Sequence, residues 1–440
     1  MKQIKIFFYL FLLLSLTSCT CGYTSYKDTS PFYISKDELI KKIGSTAPKE
    51  LSNTGKIYLY QNYIFIHENK RGIHVIDNSD IKNPKNIAFL KIPLSSDIAI
   101  KNSTLYADMF KDLIAIDIND VKNARYLRKE NNVFEDSYNY NNDRIEVGYE
   151  INKIHYEPVI CGGITSFGVP EPQSISDDSR TVAFATIPSN SNIGTGGSLA
   201  RFSILDSFLY VLSNRNMSIY NIDNTQAFQK EKVLNVGFNL ETIFPYKENL
   251  FLGSQTGMYI YDNKIKNDPK FLSQYSHIRS CDPVVVENNT AYVTLRNGST
   301  CRNDTNQLDI IDVTDLKNPK LIRSYPMTNP SGLAIKNNIL YLCDGNSGLK
   351  IFDVSNPLEI KLIKTIAISK PMDIILNENN HAIVITEEGL LQYDFSDLSK
   401  DNTVLSKITT KKEINNSEQE KTTKVGNIYY YDWFKKYILD

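Results

Sequence analysis

The chain has 440 residues, 49 Lys and Arg against 50 Asp and Glu, a formal net charge of −1 and 41% hydrophobic residues. That is the balance of an ordinary globular chain, without the basic excess of a nucleic-acid binder or the acidic run of a solvating tail. No nucleic-acid partner is expected.

At the N-terminus Lys2 and Lys5 precede an apolar run from Ile6 to Leu14, too short to span a bilayer. Leu16-Thr-Ser-Cys19 follows, with small residues ahead of a cysteine, as in a bacterial lipoprotein signal. Residues 1–18 are read as the signal peptide and Cys19 as the lipidated first residue of the mature chain. The plainer alternative is an ordinary signal peptide with a chance cysteine, and Cys21 is a weaker second candidate. Thr20 is unlike the aspartate that retains lipoproteins at the inner membrane, so a cell-envelope location at the outer membrane is expected. More than one acyl chain gives stable anchoring.

Residues 19–55 are expected to form a tether carrying a short helix. Ser35-Lys-Asp-Glu38 has the spacing of a capping box, serine at the N-cap and glutamate at N3. Leu39, Ile40 and Ile43 would give that helix one apolar face, and Pro48 ends it.

From residue 56 a repeat sets in. Seven apolar runs close on an aspartate, at Asp77, Asp117, Asp223, Asp262, Asp312, Asp353 and Asp394, with steps of 40, 106, 39, 50, 41 and 41 residues. A period near forty with β-branched and aromatic runs predicts an all-β fold, a seven-bladed β-propeller over residues 56–408. The sixth repeat predicts four antiparallel strands per blade: Gly332–Ile335, Ile339–Leu342, Leu349–Asp353 and Leu362–Ile368. Asn337-Asn338 supplies the first hairpin, and Pro357, unable to donate to a ladder, sits between the last two strands. The recurring aspartate is read as scaffold, its carboxylate bonding the N–H groups of the following turn. Lys56–Tyr60 and Thr403–Ile408 give the first and last blades strands of their own, so ring closure without strand exchange is expected.

Two departures from the period stand out. One is an insert over residues 129–197, about 66 residues beyond the period, closing on Gly194-Thr-Gly-Gly-Ser-Leu-Ala-Arg201. The other is a long hairpin from Leu295 to Gln307. The up-and-down order of strands puts both on the face that also bears the crossings between blades. Cys161, Cys281, Cys301 and Cys343 map to that face and, in an exported chain, suggest disulfides. Cys281–Cys301 is the first choice and Cys161–Cys343 the remaining pair; a zinc site would lack the Cys-x-x-Cys spacing.

The same face gathers polar residues near the axis: Asp97, Arg201, Glu241, Asp282, Ser331 and Asp373. The hairpins add His67, Glu68, Arg279, Arg296 and Asp344. They line either a ligand funnel or the solvated rim of any propeller. Asp344-Gly-Asn-Ser-Gly348 is faintly like a calcium loop but lacks its spaced acidic ligands, so no metal site is assigned.

Ile-His-Val-Ile-Asp77-Asn-Ser and Leu-Asp-Ile-Ile-Asp312-Val-Thr, each followed by Asn-Pro, resemble the LVIVD repeat of bacterial β-propeller surface proteins. Gly-Gly-Ser-Leu-Ala-Arg-Phe202, Cys281-Asp-Pro-Val-Val-Val286 and Ala291-Tyr-Val-Thr-Leu-Arg296 are similar to the version in lipoproteins of Bacteroidetes. The likeness runs over residues 35–408; Asn123-Ala124 stands where Asn-Pro is usual, and the third repeat lacks it. It implies a fold and no agreed activity, so no catalytic residue is carried over.

The chain shows no nucleophile elbow, P-loop or dinucleotide fingerprint, and its five histidines are scattered. Its one tryptophan, Trp433, lies in the tail, whereas quinoprotein propellers dock their blades through tryptophans. The expectation is a monomeric, lipid-anchored binding or scaffolding module with a protein or glycan partner and no cofactor. The alternative is a hydrolase or lyase, calcium-assisted through Asp97, Glu241, Asp282 and Asp373, in the axial funnel. Residues 409–440 are expected as a polar tail ending in the aromatic stretch Gly426–Phe434.

Overall fold

The computed structural model describes residues 20–134, 140–141, 144–160, 192–224, 228–276, 283–297, 306–401 and 404–411. The chain divides into two units: Leu39–Ser137 with Ser176–Asn415, and Met1–Glu38 with Tyr138–Ile175 and Asn416–Asp440.

The larger unit is a seven-bladed propeller. Blade six is built from Leu333–Lys336, Ile339–Cys343, Leu349–Asp353 and Lys361–Ile366, each antiparallel to the next. The other six blades repeat this up-and-down order, and consecutive innermost strands meet around the full ring. Blade seven ends in its own outer strand, Val404–Thr409, as expected from the sequence. Closure is apolar: Ile374, Val384 and Leu390 of blade seven share a buried cluster with Ile57, Ile64 and Ile66 of blade one. Burying such side chains is worth roughly 1.5–3 kcal/mol each.

Six of the seven repeating aspartates do the scaffolding work expected of them. Asp77, Asp117, Asp262, Asp312, Asp353 and Asp394 each accept the backbone N–H two residues on, at 2.9–3.0 Å. Blade three differs. Its third strand ends at Asn221, which accepts the N–H of Asp223, so Asn221 is the true repeat position there.

Blade one is enlarged to six strands, gaining Gly44–Thr46 outside its outer strand and Thr195–Gly196 inside its innermost one. The second addition revises the expectation for the insert. The chain leaves blade two on the crossing face, where Phe134 stacks on Phe202 at 5.8 Å. It returns on the opposite face, where the Asn102 N–H, in the first hairpin of blade two, donates to Asn192 O at 2.8 Å. The two ends of the insert therefore lie on opposite faces.

In the smaller unit, the segment expected as a tether is a strand. Thr20–Ser35 pairs along its length with Arg144–Ile160 of the insert, and Tyr140–Asn141 folds back onto the latter. The short helix Lys36–Ile40 follows, with the expected capping box: the Glu38 N–H donates to Ser35 Oγ, and Glu38 Oε2 accepts the Ser35 N–H at 2.8 Å. The signal peptide with Cys19 and the tail from residue 412 lie outside the described residues.

Candidate functional site

The innermost strands line the axis, and the returning insert runs up the axis side of blade one from the far face to the crossing face. Its path is fixed by backbone bonds. Gly194 N–H donates to Ile100 O at 2.9 Å, and Thr195 and Gly196 pair with Leu59 and Tyr58. Tyr58 locks the segment in place, its hydroxyl donating to Gly194 O at 2.9 Å and accepting the Ile100 N–H at 3.0 Å. The approach leaves no room for side chains. A Cβ on Gly194 would fall 2.2 Å from Tyr58 Cε1, and one on Gly197 would fall 2.7 Å from Asp373 Oδ2. Close approach explains the Gly194-Thr-Gly-Gly197 composition better than mobility does.

Where this segment reaches the crossing face, a charged network closes over it. Asp97, just before the innermost strand of blade two, is 4% exposed. Its Oδ2 accepts from Lys56 Nζ at 2.5 Å and from the Arg201 N–H at 2.7 Å. Arg201 Nη2 donates to Asp108 Oδ2 at 2.9 Å and to Ser96 Oγ at 2.5 Å. Asp108 also takes the backbone N–H groups of Ser96 and Asp97, each at 2.8 Å. Two cations and two carboxylates thus satisfy one another. Burial pushes the Lys56 ammonium pKa down, with Asp97 opposing. Burial works against the Asp108 carboxylate, yet Arg201 and the Ser96 donors outweigh it and hold its pKa below the usual range.

Asp373 occupies the equivalent place in blade seven with a different outcome. Its Oδ1 accepts the Ile374 N–H at 3.0 Å, and the carboxyl also takes the Ile57 N–H. Its Oδ2 has no hydrogen-bond partner, and burial drives its pKa well above the usual range.

The remaining candidates do not join this group. Asp344 Oδ1 holds the crossing into blade six through the N–H groups of Thr328 and Asn329 at 2.9 and 2.8 Å, and its Oδ2 pairs with Lys350 at 2.6 Å. It is a buried brace, not a lining residue. Glu241 is buried and accepts from Gln255 Nε2 at 2.9 Å. Arg296 ends the short strand pairing of blade five's second strand and is half-buried. Ser331 Oγ bonds the carbonyls of Cys343 and Pro371 at 3.4 and 3.3 Å. Glu68 Oε1 takes Arg71 at 2.6 Å and Ser52 at 2.9 Å, while Oε2 meets His74 Nε2 at 2.7 Å. Asp282, Arg279, Cys161, Cys281 and Cys301 lie outside the described residues. Cys343 carries a free, buried thiol, so the expected Cys161–Cys343 bridge is absent at its described end; burial pushes the thiol's pKa well up. Among the described residues no three His, Cys, Asp or Glu side chains are grouped to hold a metal ion.

Lys56 and Asp108 are the charged members of the network that sequence reasoning missed; Lys56 carried a signal, a lysine opening an otherwise apolar innermost strand.

Lowered carboxyl pKa values at Asp108 and Glu68 set an acid dependence. A folded pKa below the unfolded one adds stability above the unfolded value, near 4, that is lost as pH falls through the folded value. The melting temperature is therefore expected to drop steeply below about pH 4. Asp108→Asn is expected to flatten that limb in thermal scans while lowering stability at pH 7.

The LVIVD repeat family model matches residues 279–327 and 329–367, which correspond to blades five and six. No curated protein matches the chain. Among solved structures, a protein from Lactobacillus plantarum is 12% identical, with a TM-score of 0.49, over 81% of this chain and 96% of its own. BamB from Moraxella catarrhalis is 8% identical, with a TM-score of 0.48, over 85% and 97% respectively. A functionally unknown protein from Desulfotomaculum acetoxidans is 11% identical, with a TM-score of 0.44, over 81% and 95%. The chain is thus a seven-bladed propeller that carries LVIVD repeats in two adjacent blades.

Proposed function

We propose that the protein is a cell-envelope lipoprotein, anchored through Cys19 at the outer membrane, whose propeller binds or scaffolds a protein or glycan partner. The observation that carries this reading is the state of the charges at the axis. Lys56, Asp97, Arg201 and Asp108 are committed to one another, and a Gly-rich strand of the same chain occupies the axis side of blade one. A hydrolytic site built on these carboxylates would have to break buried ion pairs before it could act, at a cost of several kcal/mol. A recognition surface needs no such step.

The insert is the natural recognition element, and its architecture dictates how to test it. Residues 192–201 must stay, because they pack the axis. Removing 138–175 leaves 135–137 and 176–191 to join Phe134 to Asn192, and nineteen residues can span about 63 Å. In pull-downs from envelope extract, the intact mature chain is expected to retain a saturable component that the shortened chain does not. Equal retention by both would move recognition away from the insert, and retention by neither would remove the binding reading. Cys19→Ala is expected to shift the chain from the detergent phase to the aqueous phase on phase partition. A chain that stays in the detergent phase would sink the anchor at Cys19.

A further inference from the structure

His67, near the end of the second strand of blade one, is 6% exposed. It lines a recess of about 10 Å³ with Lys56, Tyr58, Asp97, Gly197 and Ala200. Its imidazole bonds the Ser95 backbone, and Nε2 has no hydrogen-bond partner. The Ser95 N–H is already given to Ile92 O, so the imidazole meets the Ser95 carbonyl and must donate to it. In a neutral ring that places the hydrogen on Nδ1 and makes Nε2 an acceptor. Burial pushes the His67 pKa down to about 4, opposed by Asp108 and Asp97 and reinforced by Lys56, so the ring is neutral near pH 7. On the same recess, Lys56 Nζ gives one hydrogen to Asp97 and keeps two further donors.

We propose that this recess is a subsite for one neutral hydroxyl group, which donates to His67 Nε2 and accepts from Lys56 Nζ. The volume holds about one water-sized group. A carboxylate or a fully ionised phosphate has no hydrogen for Nε2. A cation cannot accept from an ammonium and is repelled by it. A methyl group would leave both nitrogens unmet. Water and a sugar alcohol present the same chemistry, and a ligand's hydroxyl displaces a bound water without loss where it reproduces both bonds. Only the claim that a ligand's hydroxyl reaches the recess rests on the binding function proposed above.

Neutron diffraction from crystals of the full mature chain, with and without a methyl α-glucoside soak, tests this directly. The expected result is deuterium on Nδ1, none on Nε2, and one oxygen within hydrogen-bonding distance of both Nε2 and Lys56 Nζ. Replacement of that oxygen by a sugar hydroxyl in the soaked crystal makes the glycan the source; an unchanged water makes it a solvent subsite. Deuterium on Nε2, a doubly protonated ring at pH 7, or a recess holding an ion or no scattering overturns the proposal. Failure of the envelope pull-down would leave this result untouched, so the two ideas fall separately.

Discussion

Asp97→Asn is expected to cost about 3–5 kcal/mol of stability at pH 7, while Asp373→Asn is expected to raise it. The two residues hold equivalent places before or within the innermost strands of blades two and seven. Each accepts the N–H of the next residue and one from the following blade, Arg201 and Ile57 respectively. They differ in their surroundings. Asp97 faces Lys56 and Arg201, so an amide there leaves a buried ammonium without its counter-ion and turns a donor toward donors. Among the described residues no cation pairs with Asp373, Lys56 acting on it only at longer range, and Gly197 lies against its Oδ2. Its raised pKa means that the folded state keeps a proton that the unfolded state loses. The wild-type chain therefore loses stability as pH rises above the unfolded value near 4, by at most about 1.4 kcal/mol per unit. Asparagine removes that loss. Denaturant unfolding at pH 4, 6 and 8 should show a gap between Asp373→Asn and wild type that widens with pH. Parallel curves, or a penalty under about 1 kcal/mol at Asp97, would contradict this assignment of charge.

Gly194→Ala is expected to destabilise the propeller by about 1–3 kcal/mol from overpacking, with as much again if the Tyr58 hydroxyl bond is lost. The new methyl would sit 2.2 Å from Tyr58 Cε1 and 2.7 Å from Leu59 O. The first contact is with a side chain and the second with backbone, so they can be separated. Tyr58→Leu relieves the ring contact while the carbonyl stays. The double variant should then be less damaged than the sum of the singles, with a coupling of about 0.5–3 kcal/mol. Strict additivity would mean that the returning strand does not lie against Tyr58.

Much of this was legible from the residues because a blade is a local object. Its four strands are consecutive, their alternation and turn residues are read within forty positions, and the period exposes both departures from it. The capping box at Ser35 and the blade-seven closing strand were legible for the same reason. Blade three shows the limit of a motif: Asn-Ile-Asp223 carries the aspartate two residues after the strand end, and only pairing with Phe208 shows that Asn221 holds the position. The Thr20–Ser35 strand was missed because Ser, Thr, Asp and Pro31 make it read as a linker, and its partner lies more than a hundred residues away. That partner did carry a signal, since Ile145, Val147, Tyr149 and Ile151 alternate with Glu146, Gly148 and Glu150.

By itself, then, the amino-acid sequence determined the seven-blade repeat, the turn aspartates and the site of the insertion, because each depends on contacts between near neighbours in the chain. Only the tertiary structure decided what the axial residues do. Asp97 and Asp373 look alike in sequence, yet one is paired with two cations and the other keeps an unpartnered oxygen and a pKa that burial drives well up. The difference comes from Lys56, Arg201 and Gly197, which ring closure and the returning insert bring to them. Charge state in a buried site depends on desolvation and on the nearest partner, and neither is written in the local sequence.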